Sequence, residues 1–196
     1  MSPGGHLLTT AVACAASLAL TESVPVTAAI AAGGFLIDVD HFVDYVLFEK
    51  QRDLRPGAFL RYYLDGRVQR AVLVLHSYEL FVLLGMLAWW TDAEIVWGYL
   101  GGALLHLALD LSVNGEYTPR SISAFYSFAY RWHHRFDMQA LLARDEHLVV
   151  PDGFWSAFFR GAVRPRTAIP RAVPAVVPSR IIPMEATART TWERNG

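Results

Sequence analysis

The 17 Lys and Arg residues of this 196-residue chain are confined to two blocks. Six lie between Lys50 and Arg70, and eleven lie from Arg120 onward, so residues 1–49 and 71–119 contain none. Those same stretches are the apolar ones. Leu7 to Ile37 is almost wholly apolar or small, broken once at Thr21-Glu22-Ser23-Val24-Pro25. Ala71 to Trp90 is the second apolar run, and Ile95 to Val113 resumes it after Thr91-Asp92-Ala93-Glu94. A bilayer core takes about 20 helical residues to cross. The pattern predicts four helices near 6–21, 25–43, 69–90 and 94–112, paired as two helical hairpins. Both hairpin tips lack Lys and Arg, whereas the inter-hairpin connection and everything after the fourth helix carry all of them. Cytoplasmic loops are enriched in Lys and Arg, so both termini are expected in the cytoplasm. The expected fold is an all-α, four-helix transmembrane bundle. A soluble all-helical domain with very apolar central helices is the other fold this pattern admits.

Net charge narrows the partners. At a formal charge of -1 the chain has no basic excess for nucleic acid, and membrane lipids are its expected surroundings. Cys14, the single cysteine, excludes an internal disulfide framework. Met1 to Leu20 has no Lys or Arg before its apolar run and so fits a secretory signal poorly. Residues 50–70 read as a polar connector with a short helix over Phe59–Tyr63. Residues 121–143 mix aromatics with Arg and His, which suits an amphipathic helix at headgroup level or a short helix packed on the bundle. Five of the ten prolines fall from 161 onward. Residues 161–196 are therefore expected to be a disordered tail, leaving 1–160 as the membrane-embedded domain. No Gly-rich phosphate loop or G-x-S-x-G elbow is present.

Ionisable side chains inside spanning helices are costly and by default mark function. Here they are His6, Asp38, Asp40, His41, His76, Glu79, His106 and Asp110, with no Lys or Arg in the same segments. Carboxylates beside imidazoles suit a divalent cation, Zn²⁺ first, with Mn²⁺ or Fe²⁺ as carboxylate-tolerant alternatives. His106 and Asp110 are four apart on one helical face, Asp38 and His41 three apart, and His76 and Glu79 three apart on the expected third helix. Counted inward from Arg70 and Asn114 at 1.5 Å per residue, His76 and His106 lie about 9–12 Å from the cytoplasmic edge, level with His6 and Asp38–His41. Each residue also admits a structural role. His6 could bond a carbonyl, Asp38 and Asp40 could cap helix ends, and Glu79 could bond nearby Tyr or Ser. His133, His134 and Asp137 lie in an Arg-bearing segment and read as surface or headgroup residues, and His147 as a loop residue.

These residues resemble the bacterial inner-membrane metal-dependent hydrolase family. The similar positions are His6, Asp38-Val39-Asp40-His41, His76-Ser77 and His106-Leu107-Ala108-Leu109-Asp110, followed by Asn114 and the Tyr126…Tyr130-Arg131 stretch. The resemblance covers about residues 5–135 of the chain. That family is distantly similar to the zinc-dependent phospholipases C and single-strand nucleases, which hydrolyse phosphoesters with zinc held in a helical bundle. The resemblance implies the inner (plasma) membrane, with metal at His6, His41, His76, His106, Asp110 and Asp38 or Asp40. The spare carboxylate, Asp38 or Asp40, or Glu79, would be the general base, and the location of the site at headgroup depth favours a lipid or lipid-linked phosphoester as substrate. A final His-x-x-x-Glu is lacking, with only His133-x-x-x-Asp137 in its place, which implies one or two metals rather than three. The competing expectation is a non-enzymatic multi-pass protein whose His/Asp cluster binds metal or protons structurally.

Overall fold

Serine followed closely by proline opens each of the first two helices. In α1 (Pro3–Thr21) Ser2 Oγ accepts the Gly5 N–H at 3.2 Å, and in α2 (Val24–Gly34) Ser23 Oγ accepts the Val26 N–H at 3.4 Å. Proline in a first turn sacrifices no helical hydrogen bond. Glu22 closes α1 in the left-handed region at φ 53°. A computed structural model describes residues 1–113, 122–142 and 149–163 of the chain. These fall in one unit, Met1–Pro165. Asn114, His147 and the expected tail from residue 164 onward lie outside the described residues.

Beyond Gly34 the second helix departs from the expected continuous 25–43. Phe35 leaves helical geometry at φ -129°, Leu36–Asp38 form one 3₁₀ turn, and α3 (Val39–Leu47) follows. The axis bends by 47° between α2 and Leu36–Leu47. The break lets Gly34 offer its carbonyl sideways, a use described below. The following α4 (Pro56–Leu64) lies in the connector and packs on α3 through aromatic edges, with Phe59 5.5 Å from Phe42 and 5.4 Å from Tyr45.

The third expected helix is shorter than hydropathy indicates, because α5 runs only over Tyr78–Thr91. The segment 71–77, which begins with the apolar run Ala71–Leu75, is irregular, and other elements satisfy its backbone. Asp44 Oδ2 accepts the N–H groups of Val72 (2.7 Å) and Leu73 (3.1 Å), and Asp40 Oδ2 accepts that of Leu75 at 2.9 Å. Buried Arg131 donates to the carbonyls of Val72, Leu73 and His76, and to that of Phe125. A buried backbone must be hydrogen-bonded, and it need not be helical if side chains do the bonding.

The fourth helix, α6 (Glu94–Val113), matches its expectation and packs along α2. The two backbones touch at glycines. A Cβ on Gly33 would strike Tyr99 O, and one on Gly102 would strike Ile30 O. Small residues allow this close approach without any apolar driving force between lipid-facing helices. The segment 121–143, expected as an amphipathic helix or a short helix packed on the bundle, holds three short helices among its described residues: α7 (Ile122–Phe125), α8 (Phe128–His133) and α9 (Met138–Leu141). The last described helix is α10 (Phe154–Arg160).

Among the described residues the architecture is all-helical, with only two isolated β-bridges. By length and composition α1 and α6 can each cross a membrane, and the bent pair Val24–Leu47 makes a third candidate. At 14 residues α5 is shorter. Leu8, Val12, Leu20, Val82, Met86 and Trp90 are exposed on α1 and α5, an apolar surface suited to lipid.

Candidate metal centre

Five elements deliver imidazoles and carboxylates to one buried place. His6 comes from the first turns of α1, Asp38 from the 3₁₀ turn, Asp40 and His41 from α3, His76 from the irregular segment, and His106 with Asp110 from one face of α6. All seven expected metal ligands enter three overlapping groups whose donor atoms lie within 4.8 Å of one another: His6/His106/Asp110, Asp38/His76/His106 and Asp40/His41/His76. His106 and His76 are each shared between neighbouring groups.

The central group has the sharpest geometry. His76 Nε2 and His106 Nε2 face each other at 3.1 Å, and Asp38 Oδ1 is 3.4 Å from both. Asp110 Oδ2 lies 3.5 Å from His106 Nε2. Zn–N and Zn–O bonds of about 2.0–2.1 Å in a tetrahedron require ligand atoms about 3.3–3.4 Å apart. The observed edges match that spacing.

The far side of each ring fixes which nitrogen faces inward. His106 Nδ1 donates to Gly34 O at 2.9 Å, the carbonyl released by the helix break. His76 Nδ1 lies 3.0 and 3.1 Å from the two Asp40 oxygens. With both Nδ1 atoms donating outward, both Nε2 atoms present lone pairs to the centre, the arrangement that metal-binding histidines need. Asp40 therefore orients His76 and secures Leu75 at once.

His6 stacks on His106, with ring centroids 3.8 Å apart and 11° between planes, and its Nε2 is 3.0 Å from Asp110 Oδ1. Asp110 also takes the Met1 ammonium at 3.1 Å and the Tyr126 hydroxyl at 2.9 Å. Among the described residues, His6 Nδ1 and His41 Nδ1 are buried without a hydrogen-bond partner. The centre opens at one edge, where the Asp38 and His41 side chains remain 31% and 28% exposed, 3.7 Å apart. Tyr63 of α4 steadies this edge by donating to His41 O at 2.7 Å.

Glu79 is placed elsewhere. Its carboxylate accepts from Ser127 Oγ (2.7 Å), Phe128 N (2.8 Å) and Ala129 N (3.1 Å), so it caps α8 and stands outside all three groups. His133 is exposed, His134 leans on Tyr130, and Asp137 caps α9 through Gln139 N. Arg131, which the sequence shows only as the end of the Tyr126…Tyr130-Arg131 stretch, fixes the backbone on which His76 sits. Comparisons with protein-family models, curated proteins and solved structures return no match to this chain.

Proposed function

We propose that this protein is a membrane-embedded, metal-dependent hydrolase acting on a phosphoester of a lipid or lipid-linked substrate at the cytoplasmic face of the inner membrane, with both termini in the cytoplasm. The observation that carries the reading is the triangle of inward-facing donors, His76 Nε2, His106 Nε2 and Asp38 Oδ1, with edges of 3.1–3.4 Å. Asp110 supplies the fourth ligand. Two imidazoles and two carboxylates suit Zn²⁺, with Mn²⁺ or Fe²⁺ as the alternatives. A divalent ion held there supplies Lewis acidity and makes a nearby water acidic near neutral pH.

The chain's own groups divide the remaining work. Gly34 O and Asp40 keep His106 and His76 in the ligating tautomer. Asp110, braced by His6 and Tyr126, holds its oxygen toward His106. The Asp38–His41 pair lines the open edge, where water and substrate reach the centre, and this pair accepts the proton lost by the attacking water. Asp40 and Glu79 are already committed to His76 and to the start of α8, so neither serves as base. The exposed edge at Asp38 and His41 gives water and substrate a route to the centre, which favours an enzyme over a purely structural cluster.

The test is metal content by mass spectrometry of detergent-purified protein, beside His106→Ala and Asp110→Ala, followed by hydrolysis of a phosphoester panel with added Zn²⁺ or Mn²⁺. The expected result is about one stoichiometric ion in the wild type, lost from His106→Ala and reduced in Asp110→Ala. Unchanged metal in both variants removes the site. Metal without activity on any phosphoester leaves a structural centre and ends the hydrolase reading.

A further inference from the structure

We propose that the groove between α4 and α10 binds an anionic phospholipid, with its phosphate at Arg55 and Arg61 and an acyl chain along Leu60, Phe154 and Ala157. The groove has a volume of about 480 Å³, its lining is overwhelmingly apolar, and Arg55 and Arg61 are the charged residues of its wall. That combination fits an amphiphile with a negative head.

Its depth fits as well. The Ser2 hydroxyl donates to Phe159 O at 2.8 Å, and Gly4 is pressed against Phe159. These contacts seat α10 on the first turn of α1, where that candidate span begins. The Trp155 side of α10 is left 68% exposed with Phe154 and Phe159 beside it, and Trp is favoured at the membrane–water boundary. The connector 50–70 that contributes α4 carries six basic residues against Asp53 and Asp65, and such segments attract anionic headgroups. Arg55 is paired with Asp53, and Arg61 with Asp152 at 3.4 Å, but these side chains are exposed and such pairs are weak. A phosphate can displace both carboxylates and engage the planar guanidinium groups in paired hydrogen bonds. The opposite face of α4 is fixed on α3 and His41, so the helix cannot turn to close the groove itself.

This inference goes beyond the proposed function by assigning a lipid site on the face of α4 turned away from the centre, and its membrane depth rests on that reading. The measurement is native mass spectrometry of the full chain in detergent with phosphatidylglycerol or phosphatidylcholine added, and metal content read on the same samples. The wild type is expected to retain one phosphatidylglycerol in preference to phosphatidylcholine. Arg55→Ala/Arg61→Ala is expected to lower that retention at least tenfold with helicity and metal unchanged. Gly57→Trp, whose added Cβ would meet only Phe154 at 3.9 Å, fills the groove and should do the same with both arginines intact. Equal retention of the two lipids, or no loss in either folded variant, overturns the proposal. Displacement of the lipid by millimolar inorganic phosphate overturns it too and leaves a free-phosphate site. Lipid selectivity in a metal-free protein would uphold the groove and remove the hydrolase reading, so the two fail separately.

Discussion

Asp40→Asn separates orientation of a ligand from ligation itself. Asp40 meets His76 Nδ1 with both oxygens, at 3.0 and 3.1 Å, and one of these also takes the Leu75 N–H at 2.9 Å. The amide keeps the shape and one acceptor, so its oxygen can still hold Leu75 and preserve the local backbone. Its NH₂ then faces the His76 Nδ1–H, donor against donor. His76 escapes that clash by moving its proton to Nε2, the atom that must be bare to bind a cation. Loss of such an orienting carboxylate typically lowers metal affinity 10–100-fold, about 1.4–2.7 kcal/mol. The assay is Zn²⁺ competition against a chromophoric chelator in detergent, with Asp38→Asn measured beside it. Asp38 is a ligand in the same geometry, so its variant should lose more affinity than Asp40→Asn. Wild-type affinity in Asp40→Asn, or a loss exceeding that of Asp38→Asn, would refute the division of roles.

Three further outcomes can be checked independently. Gly102→Leu forces a side chain into Ile30 O across the α2–α6 contact, and overpacking of this kind costs about 1–3 kcal/mol. A lower melting temperature together with weakened metal binding is expected, because His106 lies one turn further on. Glu79→Ala strips the start of α8 of its capping carboxylate. It should lower stability by about 1–2 kcal/mol, read by thermal melting, with metal content unchanged. The third is pH dependence: imidazoles must be deprotonated to ligate, so Zn²⁺ affinity should fall as the pH is lowered, read by chelator competition.

Much of this centre was legible because its residues are chemically out of place. Carboxylates and imidazoles in Lys- and Arg-free apolar runs stand out against hydropathy alone, and the i,i+4 pair His106–Asp110 needed only helical periodicity to be read as one face. What hydropathy could not show is where an apolar run stops being a helix. The segment 71–77 begins apolar enough to be helical, yet its backbone is held by Asp40, Asp44 and Arg131 from distant parts of the chain. Such partners leave no local signature in Ala71–Leu75. Glu79 was misleading for the same reason: its spacing from His76 suggested a shared helical face, but helix α5 starts only at Tyr78 and turns Glu79 toward α8. The break after Gly34 was equally hidden, since Gly33-Gly34 reads as a small-residue contact and only the partner, His106 Nδ1, shows why the carbonyl is freed.

That dual use of side chains decides which substitution probes chemistry without disturbing the fold. At Asp40 the two are fused: truncation to Ala strands the Leu75 N–H and releases His76 together, and an unsatisfied buried donor costs about 1–3 kcal/mol. Asp38 differs. Its side chain makes no cap hydrogen bond, and it lies against the imidazoles of His41, His76 and His106, at 3.4–3.7 Å. Asp38→Ala therefore orphans no backbone group. Chelator-treated Asp38→Ala should melt within about 1 kcal/mol of the chelator-treated wild type, in the range of substitutions that break no such contact. The same variant should nevertheless lose the stabilisation that added Zn²⁺ gives the wild type. A wild type whose melting does not respond to Zn²⁺, or an Asp38→Ala that responds as strongly, would mean that these donors are spaced for protons alone.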